Sequence, residues 1–316
     1  MAVLRSGAVV LLSFLLSTAA LTQVTLAQPA ARPAPIFAWA AKPLSAPYRS
    51  PNRPVQRLSD LVAAHAGQKS WSQTIVHDPA GLTGRYIQMA PGEKTKTTFY
   101  ADSSMFWIVA AGQMRVTIEG QEPFTASKGF IVQVPARIPF HIETMEDTPS
   151  LRFEVTHTRS TVFYPASETP DPIKGEKYLR VAFGGGLGSY GAAKPYLDFQ
   201  KDVVEGGARP GGFVRDGETA ANVVRGPGVA RPPDSDPGHF HDGTSEFWFV
   251  MEGAVDFLIE GVPYFTTGFG DIVYAPAGRW HRASLGGAGM STRISIHPVG
   301  TALNNLDPDN SSAAAP

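Results

Sequence analysis

One pattern occurs twice in this chain, and it constrains the fold more than any other feature of the sequence. The first copy reads FYADSSMFWIVAAGQMRVTIEG and the second reads FHDGTSEFWFVMEGAVDFLIEG. Trp107 matches Trp248 and Gly112 matches Gly253, and farther along GFIVQVPAR matches GDIVYAPAG. A supersecondary unit that is repeated in this way indicates gene duplication and two similar domains.

Both copies lie in blocks of short β-rich runs that Gly and Pro separate, and the 32 Gly and 27 Pro suit frequent turns. The predicted strands are Arg85–Met89, Ser104–Ala110, Met114–Ile118, Gly129–Val134, Phe140–Glu143 and Leu151–His157, then Glu246–Met251, Val255–Ile259, Asp271–Ala275, Trp280–Leu285 and Thr292–His297. Regular short strands predict an all-β sandwich or barrel. One short helix is predicted near Leu58 to Ala66, with Ser59 or Asp60 as its cap.

The second copy carries four residues with the spacing of metal ligands. His239 and His241 are two apart on a strand, so their side chains point to the same face. Glu246 opens the next strand and can face the same interior, and His281 follows the tight turn that Pro276-Ala-Gly278 predicts. Three imidazoles and one carboxylate are donors that divalent transition metals accept. The sequence therefore predicts a metal site formed by these four side chains.

These segments resemble the two signature motifs of the cupin superfamily. The first motif, HxHxxxxE with a later glycine, is matched by His239, His241, Glu246 and Gly253. The second motif, GxxxxxPxGxxH, is matched by Gly270, Pro276, Gly278 and His281. The Asn that often follows the last His is absent, since Ser284 and Leu285 stand there. The resemblance implies two tandem cupin barrels, of the jelly-roll or double-stranded β-helix type, with a minor helix.

The resemblance also implies one divalent transition metal as the cofactor, with Fe or Mn favoured and Zn, Ni or Cu as alternatives. With four protein ligands, an octahedral ion would keep two positions for water, oxygen or substrate. A purely structural site would be closed.

The first copy lacks these ligands. The corresponding positions hold Thr98, Tyr100 and Met105, and the nearest histidine, His141, lies one residue beyond the fourth position. Arg137 stands in place of the turn glycine. We therefore expect the N-terminal barrel to be a metal-free structural partner. The alternative is an organic-ligand pocket lined by Tyr100, Met105, Trp107 and His141.

Several polar side chains near the metal site could assist chemistry. Arg279 shares strand parity with the last histidine and is the candidate for binding a substrate carboxylate bidentately. Asp236 and Asp242 flank the His pair, and Trp248 could form a wall of the pocket. Each also has an ordinary role, in a turn, at a barrel rim or in a core. No residue is identified as a general acid or base.

The repeat and the composition divide the chain into six predicted segments. They are a signal peptide (1–27), a Pro/Ala-rich arm (28–56), a degenerate N-terminal cupin barrel (57–165), a Gly-rich connection that contributes to barrel packing (166–224), a metal-binding C-terminal cupin barrel (225–300) and a disordered tail (301–316).

The N-terminus has the pattern of a secretory signal peptide. Arg5 precedes an apolar run from Ala8 to Leu21, and small residues lead to a cleavage site after Ala27. The run is short for a membrane span, and an uncleaved anchor is the alternative. Because the chain has no cysteine, it can form neither disulfides nor thiolate metal sites. We expect a secreted or periplasmic protein that is free of the membrane after cleavage.

The charge balance argues against nucleic acid as a partner, since 27 basic and 28 acidic side chains give a formal net charge of −1.

Cupins similar to this chain include decarboxylases, dioxygenases, lyases, isomerases and non-enzymatic binders, so the fold does not fix the function. The leading hypothesis is an exported metal-dependent enzyme, of dioxygenase or decarboxylase type, acting on a small oxygen-rich molecule such as a carboxylate, enol or catechol. The alternatives are a non-redox Zn or Ni lyase or isomerase, and a non-catalytic periplasmic bicupin that binds a metal or small molecule. Assembly into a homo-oligomer is left open.

Overall fold

The computed structural model describes residues 36–145, 148–191, 193–208, 212–215, 217–228, 237–300 and 303–306. The predicted signal peptide and its alternative, a membrane anchor, lie outside the described residues, as does Asp236. Among the described residues, no helix has the length and apolar character needed to cross a membrane. The chain divides into two units, Met1–Trp39 and Ala40–Pro316. In the first unit, residues 36–39 are exposed and form neither helix nor strand.

The second unit is built of strands, with one short α-helix and one π-helix in its described part. In chain order the strands are β1 (Val55–Gln56), β2 (Trp71–His77), β3 (Leu82–Met89), β4 (Phe99–Tyr100), β5 (Met105–Ala111), β6 (Gln113–Ile118), β7 (Phe124–Ser127), β8 (Phe130–Val134), β9 (Phe140–Thr144), β10 (Ser150–His157), β11 (Val162–Phe163), β12 (Tyr196–Asp198), β13 (Gly212–Arg215), β14 (Thr219–Pro227), β15 (His239–Phe240), β16 (Glu246–Glu252), β17 (Ala254–Ile259), β18 (Val262–Thr267), β19 (Ile272–Ala275), β20 (His281–Gly286), β21 (Met290–Pro298) and β22 (Asn304–Asn305). The α-helix α1 spans Leu58–Ala64 and the π-helix spans Phe199–Glu205. The predicted all-β class is confirmed.

The duplication is visible in the sheets. The N-terminal half has a large sheet of order β12-β8-β5-β10-β3-β2, a smaller sheet β7-β6-β9 and the pair β11-β4. The C-terminal half has a large sheet of order β1-β19-β16-β21-β14-β13 and a smaller sheet β18-β17-β20-β15-β22. The series β8-β5-β10-β3 thus recurs as β19-β16-β21-β14, and β7-β6-β9 recurs as β18-β17-β20. Each half pairs a large sheet with a small one, as expected for two tandem cupin barrels.

The repeated glycines have the same backbone conformation in both halves. Gly112 has φ +68° and Gly253 has φ +64°, which is the left-handed region that glycine tolerates best. A Cβ at Gly112 would clash with the carbonyl oxygen of Pro149, and one at Gly253 with that of Met290. The sequence match therefore reflects a shared turn that requires glycine in both copies.

The two faces of each large sheet pack into different cores, because side chains alternate along a strand. The inner faces enclose one apolar core in each barrel, around Trp107 and Trp248 respectively. The outer faces of the two large sheets pack on each other in a third, shared core. Within this shared core, the ring centroid of Phe153 lies 6.3 Å from that of Phe247 and 5.9 Å from that of Phe249. The two halves are thus joined by buried apolar surface.

Strands from the segments predicted as arm, connection and tail also join the sheets. β1, in the arm, pairs with β19 of the C-terminal half. β14 begins at Thr219, inside the predicted connection, and lies between β21 and β13. In the predicted tail, Asn304–Asn305 forms β22 and pairs with β15, while 307–316 lie outside the described residues.

The predicted cap of α1 is wrong. Arg57 is the N-cap residue, and its side chain makes no capping hydrogen bond. The Leu58 amide instead donates to Asp271 Oδ1 at 3.0 Å, and Arg57 Nη1 donates to Asp271 Oδ2 at 2.7 Å. A carboxylate that precedes β19 therefore satisfies the helix terminus, and local sequence alone does not show such a distant partner.

Candidate metal centre

Strands of both C-terminal sheets bring the four predicted ligands to one place. β15 pairs with β20 in a register that sets His239 directly opposite His281. His241 follows β15, and its carbonyl oxygen accepts a hydrogen bond of 2.7 Å from the Gly278 amide. Glu246 is the first residue of β16 in the other sheet.

The four side chains converge on a common point. Glu246 Oε2 lies 3.4 Å from Nε2 of His239, 2.8 Å from Nε2 of His241 and 3.1 Å from Nε2 of His281. The Nε2 atoms of His239 and His281 are 3.0 Å apart. The four ligand atoms all lie within 4.8 Å of one another. Three imidazole nitrogens and one carboxylate oxygen at this separation form a donor set that a single divalent cation can bridge.

Burial differs among the four side chains. His241, His281 and Glu246 are 2%, 1% and 5% exposed, whereas His239 is 25% exposed. The centre is therefore closed by the barrel around three ligands and reaches solvent beside the fourth. A small molecule would approach it past His239.

The protonation states fit metal binding. Burial alone would raise the pKa of Glu246, but its side-chain interactions with the imidazoles of His239, His241 and His281 outweigh burial and hold the pKa well below its ordinary value. Burial lowers the pKa of His281 although Glu246 opposes this change, so a neutral imidazole is favoured. A carboxylate and neutral imidazoles are the ligand forms of these residues.

Neighbouring groups fix the orientation of two ligands. The carbonyl oxygen of Arg279 lies 2.9 Å from His281 Nδ1, so this nitrogen carries the proton and Nε2 keeps its lone pair for a metal. The hydroxyl of Ser295 donates to Glu246 Oε1, which leaves Oε2 directed at the histidines. The ring of Trp248 packs against His281 with centroids 5.0 Å apart, so it supports that ligand.

Sequence reasoning missed Ser295 and the part played by His297. Both lie on β21, and the ring of His297 stacks on that of His241 with centroids 6.0 Å apart at 24°. Their alternation in the segment ISIHP puts them on one strand face, which is the signal that could have found them. Asp242 accepts a hydrogen bond of 3.0 Å from Asn304 Nδ2, and so links the loop after the His pair to β22.

The strand-parity argument for Arg279 is wrong, because the regular strand β20 begins only at His281. The Arg279 guanidinium donates to the carbonyl oxygens of Glu260 at 2.5 Å and Ala46 at 2.9 Å. It also lies over the ring of Tyr48, 4.8 Å from its centroid. These contacts give Arg279 a structural role, and binding of a substrate carboxylate by this residue stays a prediction.

His141 does not occupy the place expected for a lining residue of the N-terminal barrel. Ile118 pairs with Phe140, as Ile259 pairs with His281, so Phe140 holds the fourth ligand position. An offset of one residue turns a strand side chain to the opposite face, and His141 therefore points away from the barrel core. Within the residues that the structure describes, the C-terminal centre is the one group of this kind.

Known proteins support the cupin fold. Residues 229–294 match the family model described as Cupin domain. No curated protein sequence is significantly similar to this chain. A salicylate 1,2-dioxygenase from Pseudaminobacter salicylatoxidans superposes with a TM-score of 0.52 at 13% identity, over 77% of this chain and 82% of that one.

Two further solved structures are similar at lower TM-scores. A cupin 2 conserved barrel domain protein from Leptotrichia buccalis gives 0.47 at 15% identity, over 77% of this chain and 94% of its own. An oxalate decarboxylase from Bacillus subtilis gives 0.44 at 14% identity, over 75% of this chain and 74% of its own.

Proposed function

Because residues 229–294 of this chain match the cupin-domain family model, and three histidines and one glutamate converge inside the barrel, we propose that the protein is a metal-dependent enzyme acting on a small oxygen-rich organic molecule. The observation that carries this proposal is the uneven burial of the four ligands. A closed structural site would bury all of them, whereas His239 stands at a solvent-facing edge. Carboxylates, enols and catechols are the substrate classes that offer oxygen donors to such a centre.

The residues of the centre have two roles, to bind the metal and to position and enclose its ligands. His239, His241, His281 and Glu246 would hold one divalent ion, for which Fe or Mn is our first choice and Zn, Ni or Cu the alternatives. When bound, such an ion acts as a Lewis acid toward an oxygen-donor substrate and, for a redox-active metal, supports oxidative chemistry. The Ser295 hydroxyl holds Glu246 in position, and the apolar core around the ligands excludes water from three of them.

The experiment is a substrate screen with protein reconstituted separately with Fe(II), Mn(II) and Zn(II). The panel would contain small mono- and dicarboxylates, enols and catechols, with oxygen consumption and carbon dioxide release as the measurements. We expect turnover with at least one metal and none in Glu246→Gln. Stoichiometric metal without turnover of any panel member would instead favour the non-catalytic binding protein.

We also propose that the protein is exported, on the basis of the signal-peptide pattern before Gln28. Intact mass of the protein recovered from periplasm or medium should correspond to a chain that begins near Gln28. A species that begins at Met1 and remains in the cytoplasm would contradict export.

A further inference from the structure

The N-terminal barrel contains a buried cluster of charged side chains on the inner face of its large sheet. Arg152 and Glu154 lie on β10 and are 5% and 6% exposed. Arg152 Nε donates to Glu154 Oε2 at 3.1 Å, and Arg85 Nε, on the adjacent β3, lies 3.9 Å from Glu154 Oε1. Two guanidinium groups therefore share one carboxylate, and the cluster has an excess positive charge.

This cluster stands where the other barrel has its metal centre. Glu154 pairs with Trp107 as Ser295 pairs with Trp248, so Glu154 takes the position of the residue that holds the metal-binding carboxylate. Arg85 is directly opposite Glu154 on the neighbouring strand. Among the described residues, the N-terminal barrel presents no group of metal ligands, and guanidinium cations occupy the corresponding region.

The positive charge is incompletely satisfied within the described protein. Arg85 Nε is buried and has no hydrogen-bond partner among the described residues, since the carboxylate 3.9 Å away is beyond hydrogen-bonding distance. A nitrogen of Arg152, Nη1, has the weakly accepting sulfur of Met89 as its partner at 3.1 Å. A buried guanidinium nitrogen without an oxygen acceptor is costly, and an anion that supplies such an acceptor would stabilise it.

The cluster also has an access route, and it interacts electrostatically with the phenol of Tyr100. The Arg85 side chain is 35% exposed, so the cluster reaches solvent on that side. Burial, together with the charge of Glu154, raises the pKa of Tyr100 well above its ordinary value, although Arg85 and Arg152 oppose this change. The phenol hydroxyl is therefore protonated at neutral pH and can donate a hydrogen bond.

We propose that the N-terminal barrel binds a small organic monocarboxylate at Arg85 and Arg152. The planar guanidinium matches a carboxylate through two parallel hydrogen bonds, which a compact ammonium group cannot reproduce. The apolar side chains of Met105 and Trp107, in the same barrel core, favour an anion with an apolar body. The site is separate from the C-terminal metal centre and does not depend on it.

The test uses benzoate as the probe, with the neutral isostere benzamide as its control, in calorimetric titrations of the full chain. The titrations are run in the Glu246→Gln background, so that carboxylate binding at the metal centre does not contribute. We expect benzoate to bind and benzamide not to bind. In Arg85→Gln, affinity for benzoate should fall by about tenfold or more, because a charge-assisted pair is lost.

Arg115→Gln is the matched control variant, since Arg115 is an exposed arginine on the outer side of β6 in the same barrel. It changes the net charge equally and should leave benzoate affinity unchanged. Arg85→Lys keeps the charge without the planar fork, and we expect an intermediate loss. Absence of benzoate binding in the Glu246→Gln protein, or equal affinity in Arg85→Gln and Arg115→Gln, would overturn the proposal.

Discussion

Glu246 is the residue on which the geometry of the candidate metal centre depends most. One of its oxygens faces three imidazoles, and the other accepts a hydrogen bond from Ser295. A carboxylate that is held at one oxygen has less freedom to turn away from a cation at the other. The orienting hydroxyl should therefore contribute to metal affinity although it is not a ligand.

Ser295→Ala tests this role. We expect the protein to fold and to bind metal at the same stoichiometry, with affinity lowered by about 10–100-fold, the usual effect of losing an orienting partner. Competition titration with a chromogenic chelator measures the change. Ser284→Ala is the matched control, because the Ser284 hydroxyl is buried in the same barrel with no hydrogen-bond partner among the described residues. Equal affinity in the two variants would show that Ser295 does not orient the carboxylate.

At the residue scale, the sequence predicted what is local and missed what is set by tertiary structure. The spacing of His239, His241 and Glu246 is short enough to be recognised directly, and the structure brings these side chains together. The cluster of Arg85 and Glu154 was not found, because its members are far apart in sequence and meet only through the pairing of β3 with β10. His141 was wrong as a lining residue of the N-terminal barrel, because an offset of one residue turns a strand side chain to the opposite face of the sheet.

At the scale of elements, the segment from Lys42 to Gln56 lies along the turn that leads to His281. Lys42 Nζ is 2.8 Å from Glu260 Oε2, and the Ala46 amide donates to the carbonyl oxygen of Ala277 at 3.1 Å. The Tyr48 hydroxyl donates to the carbonyl oxygen of Tyr274 at 3.1 Å. A segment whose prolines exclude a helix can still be held firmly when its backbone groups find partners on a barrel.

A double-mutant cycle on Arg279 and Tyr48 tests whether this segment is held as described. Arg279→Leu should lower the free energy of unfolding by about 1–3 kcal/mol, because two hydrogen bonds to carbonyl oxygens and a cation–π contact are lost. Tyr48→Ala should also destabilise the protein, and the two effects should be less than additive by about 0.5–1 kcal/mol. Urea denaturation of the four proteins gives these values.

Tyr264→Ala is the control for the cycle, since Tyr264 is 51% exposed on β18. Its effect on the free energy of unfolding should add to that of Arg279→Leu without an interaction energy. The measured metal content should be unchanged in every variant. If Arg279→Leu left stability unaffected and raised KM, Arg279 would be a substrate-binding residue, as its position in the sequence first suggested.

Element prediction succeeded where hydrophobic patterning was strong. Strands β5 and β16, which carry the matching tryptophans of the two copies, begin within one residue of their predicted starts. β14 was missed because its sequence, TAANVVRGP, combines small residues with Gly and Pro and has little of a strand's usual pattern. Its nine-residue pairing with β21 shows that neighbouring strands outweigh weak local preference.

At the scale of the whole molecule, duplication followed by divergence accounts for both barrels. The strand orders and turn glycines are shared, and the shared core joins the two large sheets. The sites have diverged, with imidazoles and a carboxylate in one barrel and a guanidinium–carboxylate cluster in the other. Within the described part of the chain, each barrel core thus contains a charged site, and the C-terminal site is the one with a complete set of metal ligands.

The metal content of four purified proteins tests this account most directly. Wild-type protein and His141→Ala should each bind about one divalent ion per chain, because His141 belongs to no metal-ligand group among the residues that the structure describes. Glu246→Ala and His241→Ala should lose most of the bound metal, since an incomplete site loses charge balance and chelation. Full metal content in both of these variants, or about two ions in wild type falling to one in His141→Ala, would contradict it.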